Sequence, residues 1–499
     1  MTRFGRNSQT LVELFCEAAA RALADSVIQE IDAIYIGVMN PEEFTGDSNI
    51  ASQIADALGV TGLPALRIET ASSAGAAALH TAFQAVASGY YRHVLVLGGE
   101  KMTHLSTSAT TRILAEVIDK QERQCGATMP ALAAMITERY RKKYRLSHSR
   151  LERILCRVAM KSHLNGSHNP YAQFQRPITE ESYFSSKFVS TPLRLYDCSP
   201  ITDGAAAVIL TAQKTDVVVS GIGQGTGPVS LRARDSFTSF RATQIAAAKA
   251  YEMAGISPKE IDFAEVHDAF TPFEIICTED LGFFPPGKGG NAVEEGKTSL
   301  EGPLPINPSG GLKSRGHPVG ASGVAQVVEA VWGLRGSSGA KLKREAKRAL
   351  AQSTGGLATN NFVTIVERTD SPSVKSLWRH PFLAPVQRRP SPKRLEPVSV
   401  SEEGRIETFT MLYVTPDGFL PPLALALIRD RQGSLLMAQG EDISHLKIGR
   451  EVYLRQLGDR HLFTVKSHLM KVREALKKLL KSIPPLPSKG KGAPKKETP

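Results

Sequence analysis

The 499-residue chain is 41% hydrophobic and 22% charged, with 41 Gly and 30 Pro, a globular composition that excludes a collagen, a coiled coil or wholesale disorder and has room for several domains. Its five cysteines (Cys16, Cys125, Cys156, Cys198, Cys277) form no C-x-x-C pair, which argues against a disulfide framework and a Cys-based zinc site and for a reduced, cytoplasmic compartment. The net charge of +12 is uneven: residues 1–370 carry 38 Lys/Arg against 37 Asp/Glu, and residues 371–499 carry 23 against 12, so the large part of the chain is electrically balanced.

In chain order, a helical pattern from Leu11 to Leu23 runs into Glu30-Ile31-Asp32 and an apolar strand, Ala33 to Val38. Glu13, Glu17 and Asp25 interrupt any apolar core that a secretory signal would need. Ala71-Ser72-Ser73-Ala74-Gly75 then opens a small-residue helix, Ala76 to Ala87. The same order recurs later: Ala246 to Met253, Glu260-Ile261-Asp262, the strand Phe263 to Val266, and Gly316-His317-Pro318-Val319-Gly320 before a helix from Ala321 to Leu334. An internal duplication of strand and helix patterns predicts an α/β layered fold with an α-β-α-β-α arrangement. The second half begins with a strand, Val217-Val218-Val219, leading into a glycine-rich loop at Gly221 to Gly227; the first half lacks that strand, and a translation start upstream of Met1 is the expectation.

The predicted divisions are 1–105 for the first half, 106–215 for a helical, polar insertion over the site that completes it, and 216–370 for the second half. Residues 371–395, with six basic residues, five prolines and no acid, read as a linker. From 396 to 466 short alternating runs (Ile406 to Tyr413, Leu423 to Ile428, Ser434 to Ala438, Glu451 to Leu457) predict a small β-barrel. Residues 467–499 read as a basic helix and a disordered tail. The longest apolar run, Phe419 to Ile428, contains Pro421 and Pro422 and is far short of the ~20 residues of a membrane helix.

Several positions are suited to chemistry. His317 stands at a helix mouth behind Asn307-Pro308-Ser309-Gly310-Gly311, where glycines admit a ligand and an imidazole moves protons near neutral pH. His267 follows a strand end, where catalytic groups of α/β sheets gather; a buried polar cap is the competing reading. Ser72 occupies a strand-to-helix elbow facing helix N–H groups, although a serine there more often caps the helix. The Gly221-x-Gly223-x-Gly225-x-Gly227 run has the wrong spacing for a dinucleotide fingerprint.

Together, Ile68 to Gly75, Gly99-Glu100-Lys101-Met102-Thr103, Asn169-Pro170-Tyr171-Ala172, Asp203 to Ala207, His267-Asp268-Ala269-Phe270 and Asn307 to Gly323 resemble the thiolase superfamily over residues 2–368, most closely its sterol-carrier-protein type. Residues 396–466 resemble the OB-fold domain that accompanies such proteins as a separate acyl-CoA-associated subunit, without the zinc ribbon that commonly precedes it. The resemblance implies an acyl-CoA site with no permanent cofactor and no metal, coenzyme A serving as acyl carrier. It places the nucleophile at Ser72, the activating histidine at His317, the thioester-oxygen histidine at His267 and the second acid/base at Ala269 or Ser353. It also implies coenzyme A contacts at Ser309, Gly310, Gly316 and Gly355.

The family uses cysteine as its nucleophile. A serine hydroxyl has a much higher pKa and needs a positioned base, and returning an acyl group from serine to coenzyme A is uphill. The expectation is therefore a protein that makes or breaks a carbon–carbon bond beside a CoA thioester, by acyl transfer or by a retro-aldol route through an enolate. The alternative is a non-catalytic subunit that binds acyl-CoA or a partner enzyme. A homodimer, possibly within a larger complex, is the expected assembly. Nucleic acid is not expected as a partner, because the barrel holds few candidate stacking aromatics (Phe409, Tyr413, Phe419, Tyr453, Phe463) and several of those read more simply as core.

Overall fold

In a computed structural model, residues 1–369 and 401–466 are described, apart from positions 27, 29, 340, 341, 343, 344, 416, 417, 442, 443 and 459. The expected linker at 371–395 and the basic helix and tail at 467–499 lie outside the described residues.

The duplication predicted from the sequence is visible in the strand pairing. In the first sheet the order is 65–68, 33–37, 93–100, 204–211; in the second it is 217–226, 360–368, 348–355, 263–265. Ala33–Gly37 lies parallel to His93–Glu100, which lies antiparallel to Gly204–Thr211. Phe263–Glu265 likewise lies parallel to Arg348–Gly355, itself antiparallel to Asn360–Arg368. The strand Val217–Thr226 then flanks Asn360–Arg368. At the equivalent flank of the first sheet, residues 2–5 bond to the start of 204–211, through Thr2 N to Ala205 O (2.8 Å) and a Gly5–Asp203 bridge.

Five layers follow from where each strand's alternating side chains go. Leu11–Asp25, opened by a reciprocal Thr10–Glu13 capping box, packs with Ile34, Ile36, Leu95 and Leu97 on the outer face of the first sheet. The inner faces of both sheets, Val94 and Val96 with Ala349 and Ala351, close on Ala74–Ala87 and Ser322–Arg335. Those two helices meet through glycines: a Cβ on Gly75 would stand 2.4 Å from Gly320 O, and one on Gly323 2.4 Å from Ala76 N. Outside the second sheet lies Arg241–Ala254.

The glycine run after Val219 is a correction: the segment continues as strand through Thr226 and is not a loop. Positions 221, 223 and 225 share one face, and a Cβ there would sit 2.3, 1.9 and 2.4 Å from the carbonyl oxygens of Ala250, Ala246 and Ala242. A period of two along the strand meets a period of four along the helix, and only glycine permits that approach.

The insertion is helical as expected, with Thr107–Leu114, Lys120–Gln124, Met129–Lys143 and His148–Ser167, but it is not a polar cover. Ala131 to Ile136, with Leu151, Ile154 and Leu155, belong to the largest hydrophobic core. Several of its basic residues are paired, among them Arg141 with Glu138 (2.6 Å) and Arg150 with Glu294 (2.7 Å).

The C-terminal strands close into a five-stranded barrel. Glu403–Leu412, Leu423–Asp430 and Leu435–Gly440 pair antiparallel in turn. Leu435–Gly440 then runs parallel to Arg460–Val465, which returns through Glu451–Leu457 to the first strand. Ala426 and Ile428 enter the barrel core, while Leu423, Leu425 and Leu427 enter the core of the insertion helices. The apolar run that ends at Ile428 is therefore a strand buried on both faces. Polar contacts stitch the same seam: Thr408 Oγ1 donates to Met135 O (2.9 Å), and the hairpin Phe188 to Arg194 extends the first barrel strand through Ser190 and Leu412.

Candidate active site

The site forms where three pieces of the duplicated fold converge. Ala71, just before the first central helix, holds the left-handed region with φ 56°, a conformation that a non-glycine residue keeps only when its surroundings enforce it. Ser73, and not Ser72, occupies the N-cap position, and it makes no side-chain cap bond. Its hydroxyl donates to Thr70 O (2.7 Å). Capping is therefore not the role of Ser72, which is half-buried and, among the described residues, has no side-chain hydrogen bond.

The histidine loop abuts this elbow. Ala71 and Val319 share one apolar cluster, and Gly320 closes on Gly75 as described above. From the other side Gly355 approaches the elbow so closely that a Cβ would lie 1.9 Å from Thr70 O. The turn of Ser72, the loop of His317 and the strand end carrying Ser353 are thereby brought together.

His317 is 8% exposed and His267 3%. Their rings meet edge to face, with centroids 5.0 Å apart at 86°. Burial and the nearby Arg315 guanidinium press His317 down to about 3; burial, His317 and Arg315 hold His267 well below the ordinary histidine value. Both imidazoles are neutral at pH 7.

Hydrogen bonding sets the tautomer of His317. Its Nδ1 lies 2.7 Å from Ser322 Oγ, and that hydroxyl donates its one proton to Pro318 O at 2.9 Å. Ser322 must then accept from Nδ1–H, which leaves Nε2 as the unprotonated, basic nitrogen. Sequence reasoning missed Ser322, since a hydroxyl at the start of a helix signals a cap and five residues separate it from the histidine.

His267 is anchored by its backbone N–H to Gln352 Oε1 (2.8 Å), and Gln326 Nε2 donates to Gln352 O (2.8 Å). Ser353 lies two residues beyond Ala351, the partner of Glu265, just as His267 lies two beyond Glu265. The two side chains thus leave adjacent strand ends. His267 Nδ1 and Ser353 Oγ are both buried without a partner among the described residues, the signature of groups that meet a ligand or water. Asp268 stays with the scaffold, accepting from Leu312 N (2.7 Å).

The residues expected to contact coenzyme A divide. Ser309 is 1% exposed; its hydroxyl donates to Glu265 (2.6 Å) and accepts from Arg315 (3.3 Å). A Cβ on Gly310 would meet Gly166 at 2.6 Å, and one on Gly316 would meet Thr202 at 2.8 Å. Ser309 and Gly310 shape the loop beneath the histidines, whereas Gly316 and Gly355 flank it.

No thiol enters the site. All five cysteines are free, and burial raises Cys125 to about 11, Cys156 and Cys198 to about 12, and Cys277 further; such thiols are inert. Cys198 bridges to Phe270 through its backbone, but its Sγ faces Arg194 O at 3.6 Å. Among the described residues no group of three or more His, Cys, Asp or Glu is arranged to hold a metal, and no helix is long and apolar enough to cross a membrane.

Comparison with known proteins identifies the family and the fold. Residues 1–214 match the family model for the thiolase N-terminal domain and residues 223–368 that for the thiolase C-terminal domain-like family. The acetyl-CoA acetyltransferase of Methanothermobacter thermautotrophicus is 40% identical over 365 residues, 71% of this chain and 94% of that protein. Among solved structures, a monomeric SCP2-thiolase like protein type 1 from Mycobacterium smegmatis has a similar fold, with a TM-score of 0.69 at 18% identity over 93% of this chain and 98% of that one. The Ltp2-ChsH2(DUF35) aldolase follows with 0.63 at 24%, over 74% of this chain and 96% of that chain. The chain belongs to the thiolase family and carries a five-stranded barrel beyond the two thiolase domains.

Proposed function

We propose that this protein cleaves or forms a carbon–carbon bond beside a CoA thioester by stabilising an enolate, the retro-aldol type of reaction, with no acyl-enzyme on Ser72. The observation that carries the reading is the pair of buried, neutral, edge-to-face imidazoles at an elbow that holds a hydroxyl where the family's thiol belongs. An enolate needs donors fixed where negative charge grows on the thioester oxygen, and preorganised donors in a dry site supply this. His267 fits that task. His317, with Nε2 unprotonated, fits the base that takes the β-hydroxyl proton as the Cα–Cβ bond breaks. Ser353 stands where the family's second acid/base is found and is assigned to the Cα side. Gly316 and Gly355 admit the close approach of Thr202 and of the Thr70 carbonyl, which draws the histidine loop and the Ser353 strand onto the elbow.

The fold likeness to an aldolase whose name includes a DUF35 partner supports the same direction. So does the barrel, whose strand order, with its third and fifth strands parallel, favours an OB-type assignment. We assign the protein to the cytoplasm on its five free thiols. A homodimer is proposed through the edge strand Ala65–Ile68, which pairs on one side only and leaves Leu66 51% exposed.

The test is incubation with β-hydroxyacyl- and β-ketoacyl-CoAs, followed by mass spectrometry. Cleavage of a β-hydroxyacyl-CoA to a shorter acyl-CoA and a carbonyl product, without a Ser72 adduct, is expected. An acyl-Ser72 adduct would point instead to acyl transfer. Binding without turnover across the panel would favour the second reading, a non-catalytic acyl-CoA-binding subunit, which the absence of cysteine from both family positions supports.

A further inference from the structure

The seam between the thiolase domains and the barrel gathers positive charge that the catalytic reading leaves unused. Arg232 sits in the short turn Leu231–Ala233, against which the barrel strand Leu435–Gly440 packs. The buried carboxylate of Glu122 fixes this turn, accepting from Ser230 Oγ (2.8 Å) and Leu231 N (2.7 Å). Arg232 itself is half-buried, and its Nε is buried without a partner among the described residues. From the barrel, exposed Arg460 lies over the Phe419 ring, 4.9 Å from its centroid. That ring packs where a Cβ on Gly126 would be, at 2.9 Å. Half-buried His461 is the next residue; burial and then the charge of Arg232 lower its pKa.

This cluster is linked to the rim of the active site. Arg234 donates to Leu357 O, and Gly227 N donates to Thr359 O (2.8 Å). The turn 355–359 starts at Gly355, which abuts the Ser72 elbow. Coenzyme A carries its thioester at the end of a long pantetheine arm, so a site that receives the thioester at the elbow needs its phosphate contacts out on such a rim. Guanidinium groups without carboxylate partners are the side chains suited to phosphates.

We propose that Arg232 and Arg460, with His461 beside Arg460 on the barrel strand, bind phosphates at the nucleotide end of coenzyme A, so that the barrel completes the acyl-CoA site in cis. The inference rests on the acyl-CoA reading of the active site and adds the element that recognises the nucleotide.

The test compares the affinity of the full chain for coenzyme A with that for pantetheine, which shares the arm and lacks the nucleotide, by titration calorimetry. Wild-type protein is expected to bind coenzyme A at least tenfold more tightly, with the difference shrinking as salt rises. The double reversal R232E/R460E is expected to narrow that ratio by tenfold or more. Should reversal unfold the protein, the neutral pair Arg232→Gln and Arg460→Gln is read in the same way. If wild type prefers coenzyme A and the folded variants keep the full ratio, the phosphate site is overturned while the acyl-CoA reading stands. If wild type binds neither molecule, the acyl-CoA reading itself falls.

Discussion

The elbow around Ser72 and the loops carrying His267 and His317 meet at one site but are built to different standards. At the elbow, Ser72 is half-buried and makes no side-chain hydrogen bond among the described residues. In the histidine loops both rings are buried, both are neutral, and one has its tautomer fixed by a counted proton. A serine nucleophile requires a base within hydrogen-bond reach and a leaving group that can return. Polarising a thioester and accepting a proton requires only what the histidine loops hold. On the reading proposed above, the contrast separates the handling of a thioester, which the histidine loops would carry out, from covalent catalysis, which a serine with no hydrogen-bonded base among the described residues does not favour.

The most direct way to break the comparison is His317→Ala. Removing the base is expected to lower kcat/KM for cleavage of a β-hydroxyacyl-CoA by about 10²–10⁴-fold, with coenzyme A affinity retained in calorimetry. Near-wild-type turnover by this variant would mean that the histidine loop is not the working half. Because His317 is pressed to about 3, loss of its basic form contributes no acid limb between pH 7 and 5 in the kcat/KM profile. A limb in that window that disappears in His317→Ala would contradict its neutral assignment.

Ser322→Ala sharpens the tautomer argument. Without the hydroxyl, Nδ1 loses its acceptor and Nε2 is no longer held unprotonated, which is expected to cost about 10–100-fold in kcat, the range seen when a partner that orients a histidine is removed. Ser322→Thr keeps the hydroxyl and should restore most of the rate. If Thr fails to rescue, packing at the helix start and not the hydrogen bond is responsible.

Ser72→Ala is expected to change kcat by less than about threefold, since a half-buried hydroxyl with no hydrogen-bond partner among the described residues contributes little. Ser72→Cys is the informative partner: placing a thiol on the strained elbow should yield an acyl adduct with acetyl-CoA, visible by intact mass. A hundredfold loss in Ser72→Ala would overturn the contrast between the two regions.

Much of this arrangement was legible in the residues, and what was not has identifiable causes. The repeat could be read because each half states its own helix, acidic turn and strand. The barrel could be read because its short strands, two of them alternating, are divided by turn signals. The glycine run after Val219 misled because glycine signals a loop, while here the helix behind the strand dictates it through Ala242, Ala246 and Ala250. The burial of the insertion was hidden because the barrel that covers it lies more than 250 residues later in the chain. Ser322 and the Glu265–Arg315–Ser309 contacts were invisible for a related reason: buried polar networks have no period, and only the fold pairs their members.

The smallest expected effect concerns the seam between the two regions. Glu100 is wholly buried at the end of its strand, accepting from Met39 N (2.9 Å) and, on the histidine loop, from Gly320 N (3.2 Å). Burial outweighs these donors and raises its carboxyl to about 8 from an ordinary 4.5. Across that window the native protein holds a proton that the unfolded chain has lost. Glu100 therefore contributes stability that is fully present below about pH 4.5 and declines as pH rises towards 8. Glu100→Gln keeps an acceptor for the two amides and removes the titration. Urea unfolding at pH 5, 6, 7 and 8 should then give a shallower fall in stability for the variant. Glu265, raised to about 7 by its own burial, keeps part of the slope in both proteins. Parallel slopes would show that Glu100 is ionised in the folded state and that the two donors, not the proton, hold the elbow's sheet to the histidine loop.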